Sequence, residues 1–360
     1  MWLLNTITLR LRDFSGELPD NKPGQQPDRI PHYAILSHCW REGEVLFQDI
    51  QDLERTRRMV GFPKIEHCCN QALRIGYMWA WVDACCIDKS SSAELSEAIN
   101  SMFKWYGHAG ACLVYLDDVD NEDPHRLDSS FRKSRWFTRG WMLQELLAPK
   151  WLIFFSKSWS YLGTRESLLR LLSDMTGIPM DALSHSSSLH SFSIAQRMSW
   201  AAKRQTTRAE DRAYSLMGLF DIFMPIIYGE GGAAFRRLQL EIIQRSSDQT
   251  IFAWSLDWSI ADSLLCLCSS VRNDTDSLPK LPANFYSQYT SVFAPSPACF
   301  EGSGRIVPLP MPARNKNPDN PPPTMTEYSW THLGLHISMP LIPLQKSTRS
   351  GPSFLGMLSC

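Results

Sequence analysis

The stretch from Ser134 to Pro149, SRWFTRGWMLQELLAP, concentrates groups that can do chemistry: two arginines, two tryptophans and a single carboxylate. Trp141 and Glu145 lie four apart, so a helix puts them on one face. That helix is predicted to start near Arg139–Gly140. It stops by Ala148, because Pro149 disfavours helical backbone in the residue before it. A lone Glu beside a Trp, early in a helix that comes after a loop, fits a reactive carboxylate. The same residue fits an exposed early-helix Glu that complements the helix dipole.

Other groups gather near predicted strand ends. Tyr33 to Ser37 is a short apolar run that opens onto His38, Cys39, Trp40 and Arg41. Ser37, His38 and Arg41 therefore sit at or just past the carboxyl end of a strand. Asp83, Asp88, Asp117 and Asp118 also fall near strand ends, where carboxylates can hold Mg²⁺ but more often start loops and cap helices. His38 next to Cys39 does not make a dyad, since strand neighbours point to opposite faces. Neither a GxxxxGK[ST] phosphate loop nor a GxGxxG fingerprint is present.

The bulk properties bound the setting. A chain of 360 residues, 44% hydrophobic and 20% charged with net charge −1, reads as soluble and globular, with room for two or three domains. A charge near zero argues against unspecific nucleic-acid binding. The ten cysteines include the adjacent pairs Cys68–Cys69 and Cys85–Cys86 inside apolar runs, which is no disulfide framework. No metal ligand pattern stands out. A reducing cytoplasmic compartment is expected, with no signal peptide and no membrane span.

The elements that must position these groups alternate. Thr6 to Leu11 and Tyr33 to Ser37 read as strands, Lys64 to Gly76 as a helix, and Tyr77 to Cys86 as a central parallel strand. Ser91 and Glu94 offer a capping box for a helix ending at Gly107. Ala111 to Leu116 and Trp151 to Phe155 complete the strands. This order predicts a doubly wound parallel α/β sheet whose ligand site lies beyond the strands' carboxyl ends. Ser37, His38, Asp88, Asp117 and the loop before Trp141 all fall on that rim, which makes Asp88 a further ligand-binding candidate. Helical segments come next at Leu168 to Met175, Phe192 to Ala202, Arg208 to Phe220 and Phe235 to Ile243. More than half of the prolines lie beyond Val271, so a Pro-rich tail is expected, β-rich or partly disordered, with candidate strands at Gly304 to Leu309 and His332 to Ser338. The ending at Cys360 has no closing element and reads as truncated. The expected division is residues 1–160, 161–250 and 251–360.

YAILSHCW (33–40), WVDACCIDKSSSAELSEAINSMFKWY (81–106) and FRKSRWFTRGWMLQELLAP (131–149) resemble the heterokaryon-incompatibility (HET) domain of filamentous fungi. MSWAAKRQTTRAEDRAYSLMGLFDIFMPIIYGEG (198–231) resembles the segment after that domain in incompatibility proteins of the NACHT–WD-repeat type. The tail beyond about residue 250 resembles no family. The HET domain is similar to the TIR domain, which implies a TIR-like (flavodoxin-like) fold. Plant TIR domains carry Ser-x-Trp-Cys-x-x-Glu-Leu on the helix after the third strand. Trp141 and Glu145 match its Trp and Glu, while Arg139 and Met142 stand where its Ser and Cys are.

The resemblance implies a non-self-recognition effector that triggers cell death, with Glu145 as the catalytic carboxylate of NAD cleavage. Trp141 would wall the pocket, and Ser37, His38 and Arg41 would contact phosphate or ribose. NAD would be substrate, and no cofactor or metal is expected. Partners would be further copies through the TIR-like domain, or a NACHT-type incompatibility protein. The alternative is a signalling module that acts by assembly without catalysis. A Mg²⁺-dependent enzyme using Asp83, Asp88 and Asp117 is a third reading.

Overall fold

Seven strands make one mixed sheet: β1 (Trp2–Asn5), β2 (Leu11–Asp13), β3 (Ala34–His38), β4 (Trp79–Trp81), β5 (Ala111–Tyr115), β6 (Leu152–Phe155) and β7 (Tyr161–Thr164). Their order is β2-β1-β4-β3-β5-β6-β7. The computed structural model describes residues 1–14, 30–255 and 292–308, with four short strands between Tyr328 and Gly356.

The expected parallel sheet is its central part only. β4, β3, β5 and β6 are parallel, whereas β1, β2 and β7 add antiparallel edges. The single strand expected over Thr6 to Leu11 is instead a hairpin bend. Asn5 Oδ1 accepts from the backbone N–H groups of Ile7 (3.1 Å) and Thr8 (2.9 Å), and Leu9 takes φ 54°. A side chain that bonds its own backbone two or three residues on turns the chain, and this overrides the alternation of Ile7, Leu9 and Leu11. The long strand expected over Tyr77 to Cys86 is also shorter. It ends at Trp81, and Cys86 N–H bonds the Val82 carbonyl at 2.8 Å, so Asp83 lies past the strand end.

Numbered among themselves, the parallel strands run 2-1-3-4, so the winding reverses between β3 and β5. Short helices α1 (Leu53–Thr56) and α4 (Ser130–Lys133) lie in loops. The crossovers are α2 (Phe62–Arg74), α3 (Ser92–His108) and α5 (Met142–Leu147). Right-handed crossovers place α2 on one face and α3 with α5 on the other. α2 buries Ile65, Cys68, Cys69 and Ala72 at helical spacing, and Gly76 at φ 91° lets the chain turn off it. The predicted capping box on α3 is half present. Ser91 Oγ accepts from Glu94 N–H at 3.3 Å, but the Glu94 carboxylate accepts from Asp88 N–H at 2.9 Å.

The chain forms two compact units: Met1–Leu189 with Arg204–Gly229, and His190–Lys203 with the described residues from Glu230 on. The first unit also holds α6 (Leu169–Thr176), α7 (Met180–Leu183) and α9 (Asp211–Tyr214). The second holds α8 (Ile194–Ser199) and α10 (Ala233–Arg245). In that unit Gln239 exchanges hydrogen bonds of 2.9 Å with both backbone groups of Ala294. Of the two tail strands expected, Gly334–Ile337 forms and pairs with Tyr328–Thr331, while Gly304 and Arg305 end a 3₁₀ run, Pro297–Arg305. Residues 15–29 and 256–291, and much of the Pro-rich tail, lie outside the described residues. No described helix is long and apolar enough to cross a membrane.

Candidate active site

The strand order reverses between β3 and β5, and sheets of this kind usually bind ligands beyond the carboxyl ends of the strands at such a point. A backbone device aims α5 at it. Ser134 Oγ caps the 3₁₀ turn Arg135–Thr138 and donates to Asp118 Oδ1 at 2.7 Å. Trp136, 1% exposed, sends Nε1 to Ser37 Oγ at 2.8 Å and so ties the turn to β3. The chain then pairs with a remote segment. Gly140 N–H bonds the Gln205 carbonyl (2.8 Å) and Gln205 N–H the Thr138 carbonyl (2.7 Å). A Cβ on Gly140 would stand 2.5 Å from Thr206 Cγ2. Gly140→Ala is therefore expected to cost about 1–3 kcal/mol through this overlap, read as a lower urea midpoint at unchanged slope.

The far end of α5 is held as firmly. Arg165, 2% exposed, donates to the carbonyls of Leu146 (3.3 Å), Pro149 (2.7 Å) and Lys150 (2.8 Å). His185 Nε2 lies 2.7 Å from the Leu147 carbonyl. Orphan carbonyls at a helix end must find donors when buried, and one guanidinium supplies several.

Between these anchors Glu145 is buried, 4% exposed, and its Oε2 has no hydrogen-bond partner. Burial pushes its pKa up to about 8, and Asp83 adds to the rise. Neighbouring Ser37 and Tyr106 hydroxyls and the Arg204 guanidinium oppose it. The same hydroxyls also reach other acceptors, Tyr106 the Leu36 carbonyl at 3.0 Å and Ser37 the Met142 Sδ at 3.7 Å. Burial lowers the Arg204 pKa to about 10, against the pull of Glu145, and Arg204 Nη1 donates to the Arg139 carbonyl at 3.0 Å. At neutral pH the carboxyl is thus mostly protonated beside a cation, and an ordinary pH change ionises it.

His38 occupies a separate niche. Its ring nitrogens lie 3.7 Å from Glu44 Oε2 and 3.8 Å from Asp83 Oδ1, and neither makes a hydrogen bond. Burial would raise Glu44, but His38 and Lys64 outweigh it and hold its carboxyl at about 2. Asp83 accepts from Trp40 Nε1 at 2.7 Å, while Lys89 Nζ sits 3.8 Å over the Trp40 ring.

The remaining candidates separate. Arg41 is half exposed and pairs with Asp117, with Nη2 to Oδ1 at 3.0 Å. Trp141 begins the helix that carries Glu145, but its indole lies beside Asp211, which Tyr228 Oη also contacts at 3.1 Å. Asp88 staples a loop through Gln48 Nε2 (2.8 Å) and Ser90 Oγ (2.6 Å), so these partners are not those of the Glu145 group. Burial, then Asp117, drives the Cys39 thiol up to about 12, which leaves no thiolate for nucleophilic work. Asp83, Asp88 and Asp117 have separate partners, and no metal-holding cluster of His, Cys, Asp or Glu occurs among the described residues. Sequence reasoning missed Arg204, Tyr106, Trp136 and Glu44 as neighbours of these groups. Tyr106 carried only a core pattern, Trp136 stood in the chemistry-bearing stretch without a stated partner, and nothing local marks Arg204.

Residues 33–130 match the family model described as heterokaryon incompatibility protein (HET). The chain carries a HET domain. It is 49% identical over 239 residues to vegetative incompatibility protein HET-E-1 of Podospora anserina. That match covers 64% of this chain but only 17% of the relative, so the chain spans about a sixth of that protein's length. Residues 233–353 match a family described as a domain of unknown function, DUF8212, which covers most of the tail. No solved structure matches. Ser37, His38, Arg41 and Asp88 lie inside the matched part of the HET domain, and Glu145 lies beyond it.

Proposed function

We propose that this HET-domain chain is a vegetative-incompatibility effector whose TIR-like sheet cleaves the nicotinamide–ribose bond of NAD at Glu145. The incompatibility role is carried over from the relative of that name. The chemical reading rests on one observation: a buried carboxyl of pKa about 8, with an orphan oxygen, beside Ser37 on the strand where the order reverses. Loss of nicotinamide passes through an oxocarbenium-like state. An ionised Glu145 stabilises that positive charge and accepts from ribose hydroxyls, and Arg204 favours its ionised form. Nicotinamide leaves neutral and needs no acid, while water bonds to the ribose C1′ in its place and gives up its proton to solvent. Cell death, cytoplasmic action, self-association and a NACHT-type partner belong to the same reading.

The burial of Glu145 favours one rival. A carboxyl 4% exposed and protonated is closed to ligand in this state, which suits a module that signals by assembly alone.

NAD turnover by the full chain, fused to an oligomerising tag, separates the two. The parent is expected to consume NAD faster as pH rises towards 8, and Glu145→Gln to lose turnover at least about a hundredfold. Equal turnover in the two proteins, or none in a folded and assembled parent, refutes the catalytic reading.

A further inference from the structure

We propose that Arg204–Thr207 is a latch: paired with Thr138–Gly140 it keeps Glu145 closed, and its local release opens the carboxyl to ligand. The inference takes from the proposed function only that Glu145 must meet a ligand.

A residue 4% exposed cannot contact a nucleotide-sized molecule, so part of its surroundings must move. The choice is limited by how each wall is held. β3 is central in the sheet, and all five of its residues are buried. Tyr106 is 1% exposed, and its helix packs against that sheet. α5 is fixed at one end by Arg165 and His185 and at the other by Trp136 on Ser37. The loop after β3 is pinned by side-chain bonds at three residues: Trp40 to Asp83, Arg41 to Asp117, and Glu44 to Lys64.

Arg204–Thr207 is held differently. It has one rung of backbone pairing, the Arg139–Gln205 bridge with its bonds to Thr138 and Gly140. Two bonds flank the rung: Arg204 Nη1 to the Arg139 carbonyl (3.0 Å) and Arg139 Nη2 to Thr207 Oγ1 (3.1 Å). Gln205 and Thr207 are exposed, Arg204 and Thr206 are half-buried, and none of the four is an apolar residue, so polar bonds and not apolar burial hold the strap down. Segments of this kind open locally at far lower free energy than a core. The strap is also where the chain enters the sheet-bearing unit at Arg204. Its departure lets water reach Glu145, and solvation then favours the ionised form in place of Arg204.

The test locks the latch. In the full chain, Arg139→Cys with Gln205→Cys places a disulfide across the bridged pair, adjacent strand positions being within bridging range. The readout is carbodiimide labelling of Glu145, mapped by mass spectrometry, with the parent under the same redox conditions as control. Oxidation is expected to cut Glu145 labelling about tenfold or more and reduction to restore it. Gly140→Ala, which pushes on Thr206, is expected to raise labelling in the folded protein. Equal labelling in the oxidised and reduced double variant overturns the latch. NAD turnover in the same samples keeps the two ideas apart. Gated labelling with turnover absent leaves the latch and removes the enzyme, whereas turnover that persists when the disulfide is closed removes the latch and leaves the enzyme.

Discussion

At pH 8 the Glu145→Gln variant is expected to be more stable than its parent by about 4 kcal/mol. Burial raises the folded-state pKa of Glu145 to about 8, whereas an unfolded Glu titrates near 4.5. Below pH 4.5 both states are protonated, and the parent loses nothing. Between 4.5 and 8 the unfolded chain is ionised and the folded one is not, so the unfolded state binds fewer protons. Stability therefore falls as pH rises across that window, by about 1.4 kcal/mol per pH unit. Gln is nearly isosteric with the protonated acid and does not titrate, so its advantage should vanish towards pH 4.5. Urea denaturation of both proteins at several pH values measures the difference, and a flat difference would show that Glu145 ionises freely in the fold. Glu44 acts in the opposite sense. Burial disfavours its charge, but His38 and Lys64 hold its pKa at about 2, so its contribution is present above 4.5 and lost as pH falls towards 2.

Arg165→Ala is expected to cost about 3–5 kcal/mol. The side chain is 2% exposed and serves three carbonyls around the end of α5. Its removal takes the donor from two buried carbonyls and a part-buried one and leaves a cavity where the guanidinium lay. Arg165→Lys should recover only part of the loss, because a point ammonium cannot reach carbonyls spread around a planar fork. The urea midpoint at constant slope reads both variants. A loss below about 1 kcal/mol for the alanine variant would mean that the helix end is satisfied without Arg165.

Much of the sheet was legible because apolar runs and helical stripes are local. Ala34–His38, Ala111–Tyr115 and Leu152–Phe155 form within a residue or two of their predicted bounds, and α2 follows its stripe from Ile65 to Ala72. The edges were not legible. A strand that pairs antiparallel at a sheet margin, such as Tyr161–Thr164, has no continuous apolar run to announce it. Asn5 turned the first expected strand through a side-chain bond that alternation cannot see.

The same distinction holds at the site. The sequence by itself placed Ser37, His38, Trp141 and Glu145 at strand ends and on a short helix, since that depends on nearest neighbours and on Pro149. Only the tertiary structure decided what each of them faces. Trp141 and Glu145, four apart on one helix, turn to different partners, Asp211 for one and Ser37 with Tyr106 for the other. Arg204 comes to Glu145 from 59 positions away through backbone pairing that rests on a glycine at 140. The charge state of Glu145 follows from that assembly. Its local sequence is that of an ordinary exposed helix carboxylate, and desolvation by burial, against the pull of Arg204, is what makes it a weak acid.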